Sequence, residues 1–163
     1  MSYVAGSELA PGTTVAGYRI EALIGRGGMG AVYRAEEEGL HRKVALKIIA
    51  PELAQDERFR ERFLRESRLA ASLDHSNIVP IYEAGETDGL LYIAMRYVEG
   101  TDLKRLGLQE GRLEPGRALD IVGQVAAALD VAHEPSSIAT SSPPTSSSPS
   151  KAAGSTATWP ISG

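Results

Sequence analysis

The chain has 163 residues, 42% of them hydrophobic and 23% charged, with a net charge of −4 and no cysteine. That supports one domain with a core and excludes fibrous or wholly disordered chains, disulfide frameworks and thiolate zinc sites. The acidic balance argues against nucleic acid as a partner. No apolar run approaches the ~20 residues of a membrane span, and the first ten residues carry no signal-peptide pattern. A soluble, cytoplasmic globular protein is the expected class.

Composition breaks near Glu134. All 21 acidic residues lie at or before it, as do 16 of the 17 Lys and Arg. The next 24 residues hold nine Ser, four Thr, four Pro and one charge, Lys151. Such a stretch has too little apolar surface to offset backbone ordering at ~1–2 kcal/mol per residue. Residues 135–163 are therefore expected to be a disordered Ser/Thr/Pro-rich tail, and residues 1–15 a flexible N-terminal extension.

Between them, Tyr18–Ile24 alternates as a strand, with Tyr18, Ile20, Ala22 and Ile24 on one side. Gly25–Gly30 is a glycine-rich turn into a second strand, Ala31–Ala35, and Val44–Ala50 is a third, stopped by Pro51. Asp56–Leu73 is predicted as a helix capped by Asp56. Two strands follow, Ile78–Ala84 and Leu90–Val98, joined by the turn Gly85–Gly89, then a short helix from Thr101 and a long one over Glu114–His133. The expected fold is α+β: a five-stranded antiparallel sheet with one packed helix, followed by further helices.

Three features carry chemistry. Gly25-Arg-Gly27-Gly-Met-Gly30-Ala-Val32 is a G-x-G-x-x-G-x-V pattern, whose glycines let backbone N–H groups approach phosphates. A hairpin needs glycines too, so the pattern alone leaves both readings open. A dinucleotide fingerprint would need a following helix and an acid ~20 residues on; here a strand and Lys47 stand instead. In Val44-Ala45-Leu46-Lys47 the lysine lies inside an apolar strand, either snorkelling to water or held against an anion. On a helical wheel Phe59, Phe63, Ala70 and Leu73 share one sector with Glu66 at its middle. A carboxylate there needs a paired cation, and Lys47 is the inward candidate.

In combination these motifs resemble protein serine/threonine kinases of bacterial type, over Tyr18 to His133. The resemblance implies a small lobe over residues 16–100 and the start of a large lobe over 101–134. It implies that Ile24, Gly25, Arg26, Gly27, Gly28, Met29 and Gly30 form the phosphate loop, with Val32 and Ala45 against adenine. Lys47 would contact the α- and β-phosphates and pair with Glu66. Leu73-Asp-His-Ser-Asn-Ile-Val79 is similar to the family's L-x-H-x-N-I-V. Met95 would be the gatekeeper, Arg96 and Val98 would offer backbone groups to adenine, and Asp102 would reach the ribose. His75 and His133 read as structural. The implied partners are ATP, with magnesium in the intact parent, and proteins bearing Ser or Thr; no metal site is read in this chain itself.

After Glu134 the family's H-R-D-x-K-P-x-N is missing, and no Asp or Asn follows. Most residues of the tail fix the first two bases of their codons. Read from the third base of each codon, Ser136–Ser148 is compatible with Val-His-Arg-Asp-Val-Lys-Pro-Ala-Asn-Ile-Leu-Leu, and Trp159–Gly163 with Ala-Asp-Phe-Gly. Both are kinase motifs, so the tail reads as kinase sequence translated out of frame from about Glu134.

Overall fold

The computed structural model describes residues 8–133; the expectations for residues 1–7 and for the tail lie outside the described residues. A single antiparallel sheet dominates, with strands β1 (Thr14–Val15), β2 (Tyr18–Gly27), β3 (Gly30–Glu37), β4 (Arg42–Ile49), β5 (Ile81–Thr87) and β6 (Leu90–Arg96). Their spatial order is β1-β2-β3-β4-β6-β5. Helices α1 (Pro51–Ala54) and α2 (Glu57–Ala71) lie between β4 and β5, and α3 (Leu103–Glu110) and α4 (Pro115–His133) follow β6.

The sheet has six strands where the sequence predicts five. Within the segment expected as a flexible extension, Thr14 and Val15 pair with Arg19 and Tyr18. Val15 and Tyr18 are both buried, so the two-residue strand is held by its apolar member. Pro51 ends β4 as expected, but it also starts a one-turn helix, where its missing N–H costs nothing.

One face of the sheet carries the main core, with Ile20, Tyr33, Val44, Leu46, Tyr92 and Ala94 among its buried members. The alternation read along β2 fails in its second half. Register shifts between Ile20 and Ala22 and between Leu23 and Gly25 put Leu23, not Ala22, opposite the buried Tyr33. Each bulge inserts one residue and so exchanges the two faces of everything beyond it.

Gly85, expected in a turn, is inside β5 opposite Tyr92. A Cβ there would lie 3.0 Å from the Tyr92 hydroxyl, so the glycine makes room for that ring. The turn itself shrinks to Asp88-Gly89, both at positive φ (48° and 76°), the geometry of the tight hairpin turns that match strand twist.

Asp56 caps α2 as predicted, its Oδ1 accepting from the N–H groups of Arg58 (2.9 Å) and Phe59 (3.2 Å). The helix packs against β5, where Arg60 Nε lies 2.9 Å from Glu86 Oε2. Helix α4 is joined to the segment before β5 by Asn77 Nδ2, which donates to the Gln124 carbonyl at 3.2 Å. Much of its apolar stripe is open to solvent: Leu119, Val122, Val125 and Leu129 are each at least half exposed.

Candidate functional site

The face of the sheet opposite the main core assembles the predicted residues. Strand register puts Gly25 opposite Val32, Val32 opposite Lys47, and Lys47 opposite Ile93, in one row across four strands. The neighbouring row on the same face holds Arg34, Ala45 and Met95. A glycine turn, two small apolar side chains, an ammonium and a methionine thus line one surface. Ala45 is buried, while Val32, Lys47 and Met95 are half-buried. An ammonium among apolar neighbours is suited to an anion attached to a flat apolar body, because each part of such a ligand meets its own kind of surface.

The glycine-rich segment is a two-residue hairpin, with Gly27 paired to Gly30 and Gly28-Met29 at the tip. Gly30 is obligatory: its φ is +136° and a Cβ would stand 2.0 Å from the Ile48 carbonyl oxygen. Gly27 and Gly28 are different, since a Cβ on either would meet nothing within 4 Å. Their missing side chains leave open space beside the backbone, which is what close approach of a phosphate requires. Ile24 sits in the bulge beside this turn, and Met29 is exposed at its tip. The Met29 carbonyl accepts from the Ala50 N–H at 3.0 Å, tying the tip to the end of β4.

Two side chains are placed differently from expectation. Arg26 is opposite Ala31, on the core side of the sheet rather than the Lys47 side, and its guanidinium lies 2.8 Å from Glu8 Oε1. Its backbone still belongs to the glycine turn. Glu66 does not pair with Lys47: its side chain is 62% exposed and its ionic neighbour is Arg62, at 3.9 Å. The buried residue of α2 is Ser67, 5% exposed. At ~100° per residue the helix is turned by about one position from the face read off its phenylalanines. The wheel weighed Phe59 and Phe63 as core residues, but the two rings stack on each other, 6.2 Å apart, and are only half-buried. The Arg60–Glu86 pair lies on the side that meets β5.

At the end of β6 the Arg96 N–H is engaged by the Pro80 carbonyl at 3.0 Å, so that donor is already used. Val98 is exposed. Asp102 is already employed, capping α3 through Oδ1 to the Arg105 N–H at 2.8 Å, with Oδ2 3.6 Å from the Arg105 guanidinium. At the open end of the site Glu21 binds Arg34 (2.9 Å) and Lys43. Lys43 also holds Glu36, and its hydrogen bond, followed by that of His41, pulls the Glu36 carboxyl down to about 2. The Arg34 pKa is pushed above its ordinary value chiefly because the guanidinium donates to Tyr97, just beyond Arg96, and then by Glu21. Nothing local in the sequence marks Arg34 as a member of this site; strand register puts it directly opposite Ala45.

The protein kinase domain model matches residues 18–138. The chain belongs to the protein kinase family. Its relatives include two serine/threonine-protein kinases of Mycobacterium tuberculosis, PknJ and PknE. Each is 46% identical over 127 residues, 78% of this chain, and the match covers 21% of PknJ and 22% of PknE. The crystal structure of the Mycobacterium tuberculosis PknI kinase domain aligns with a TM-score of 0.70 at 42% identity, over 77% of this chain and 52% of that one. The chain therefore spans about a fifth of the length of these curated kinases and about half of the PknI kinase-domain chain. Among the described residues no cluster of three His, Asp or Glu is placed to hold a metal ion. The surface described above joins an ammonium to apolar side chains, and among the described residues it brings together no such acidic set.

Proposed function

We propose that this chain is the ATP-contacting part of a serine/threonine protein kinase whose intact form transfers a phosphoryl group from ATP to protein Ser and Thr hydroxyls. The row Gly25–Val32–Lys47, with Ala45 and Met95 beside it, carries this reading. It supports adenine between Val32, Ala45 and Met95, the Arg96 carbonyl and Val98 backbone at its edge, and phosphates between the glycine turn and Lys47. The Asp102 carboxylate would have to share its capping role with the ribose.

A second part of the proposal is that the chain binds nucleotide without turning it over. Kinase catalysis needs a Lys–Glu pair, a base for the acceptor hydroxyl and ligands for magnesium. Glu66 is turned to solvent, and no Asp or Asn follows residue 134. The alternative of a catalytically inactive nucleotide-binding scaffold shares this expectation. The two differ in the gene: the out-of-frame reading of the tail requires kinase codons in a shifted frame around codon 134.

Thermal denaturation with and without ATP tests binding. A ligand at a hundred times its dissociation constant stabilises by ~2.7 kcal/mol, and Lys47→Met should abolish that gain while the sheet still melts cooperatively. Equal stabilisation of wild type and variant would remove Lys47 from the site. Labelled phosphate transfer should be absent from the 163-residue chain and should arise in a frame-restored version.

A further inference from the structure

The segment Glu8–Val15 runs back along the glycine hairpin and touches it at three levels. At the base, the Gly12 N–H donates to the Ile20 carbonyl and the Ile20 N–H to the Thr13 carbonyl, both at 2.8 Å. Midway, Leu9 packs on the core, and its N–H donates to the hydroxyl of the buried Tyr33 at 3.2 Å. Next to the turn, Glu8 meets Arg26, near the end of β2, at 2.8 Å. The contacts therefore reach the start of β2, then β3, then the end of β2 beside the turn.

We propose that this segment is a strap that holds the glycine-rich hairpin from the side opposite Lys47, and that Glu8 is a positioning residue for nucleotide binding. The proposal rests on the nucleotide reading above. Arg26 is the one charged side chain between Gly25 and Gly30. Register directs it away from the phosphate side, so it serves the turn as a handle. A turn built largely of glycine loses much conformational freedom when it closes on a ligand. Holding its outer side lowers that loss, and a preorganised site keeps its ligand longer. Glu8 and Arg26 are both more than half exposed. An ion pair of that kind alters an equilibrium by no more than about five-fold and weakens with salt. The strap tunes nucleotide release and does not gate it fully.

The test compares wild type, Glu8→Gln, Arg26→Gln and the double variant in the full chain. Two readouts apply: release of a fluorescent ATP analogue at low salt, and amide hydrogen exchange of residues 27–30 without nucleotide. Each single variant should release the analogue about two- to five-fold faster, the double variant no faster than either, and high salt should erase the difference. Exchange at the turn should quicken in Glu8→Gln while the melting temperature stays near that of wild type. Wild-type release rates in Glu8→Gln, or independent multiplying effects in the double variant, would overturn the proposal. Unchanged exchange would overturn it without reference to any ligand. Faster exchange in a chain that binds no analogue at all would instead remove the nucleotide reading, and with it the role assigned to Glu8.

Discussion

Tyr18 and Glu83 meet across the curl of the sheet: the Tyr18 hydroxyl donates to Glu83 Oε2 at 2.7 Å, although 65 positions separate them. The other oxygen, Oε1, accepts from Tyr92 at 2.9 Å. One carboxylate thus joins β2, β5 and β6. Tyr18→Phe should cost about 1–2 kcal/mol in denaturant unfolding, and combining it with Glu83→Gln should cost less than the sum. The phenols also give a pH signature. Burial, then the Glu83 hydrogen bond, push Tyr92 up to about 12 and raise Tyr18 further. Both folded values lie above the ordinary ~10, so the folded state keeps protons that the unfolded chain releases. Their contribution is complete below pH ~10 and is lost as pH climbs through about 12. Tyrosinate absorbance should show two late-titrating groups whose appearance coincides with alkaline unfolding.

The two kinds of glycine in the hairpin should separate folding from binding. Gly30→Ala forces a Cβ against the Ile48 carbonyl at a φ that other residues rarely adopt; a loss above ~2 kcal/mol is expected. Gly28→Ala meets open space. It should leave the melting temperature nearly unchanged and weaken ATP, because the added methyl occupies room that a phosphate would use. Calorimetric melting and ATP titration of both variants check the contrast.

On α2, Asp56→Ala removes the acceptor for two N–H groups and should cost about 1 kcal/mol. Glu66→Gln should change stability little, since its ion pair with Arg62 is long and exposed on both sides. A large loss from Glu66→Gln in thermal melts would mean that the carboxylate is engaged on the sheet after all.

The uncovered stripe of α4 should make the chain self-associate, as exposed apolar patches do. Val122→Lys together with Leu129→Lys removes two half-exposed apolar side chains without opening the core. Sedimentation should show less concentration-dependent association in the double variant, at an unchanged melting temperature.

The order of strands and helices and the site face were largely legible, and the reasons are local. Val44–Ile49 reads as a strand because all but Lys47 are apolar and Val44, Ile48 and Ile49 are β-branched, and Asp56 announces a helix because its carboxylate stands just before Glu57 and an apolar-periodic run. What escaped depends on distance. The bulges in β2 arise from its fit to β3, and no residue in Tyr18–Gly27 marks them. The rotation of α2 belongs to its packing on β5, a strand that comes later in the chain. Glu8 carries no local signal because its partner, Arg26, lies 18 positions along the chain. The role of Glu83 likewise depends on Tyr18 and Tyr92, which only the folded sheet brings to it.

The central position of β4 has a consequence for how the molecule comes into being. Lys47 has Val32 on one side, contributed just before it, and Ile93 on the other, contributed much later. As the chain leaves the ribosome, β2, β3 and β4 can form a ribbon, but the strand that completes the floor under Ala45 and Lys47 is still being synthesised. In that interval Leu46 and Ile48 lie on an open edge, the kind of unpaired strand that invites pairing with another chain. The surface proposed for nucleotide is therefore completed late, and a newborn chain would gain ATP affinity only after β6 and the Arg96–Val98 segment have emerged.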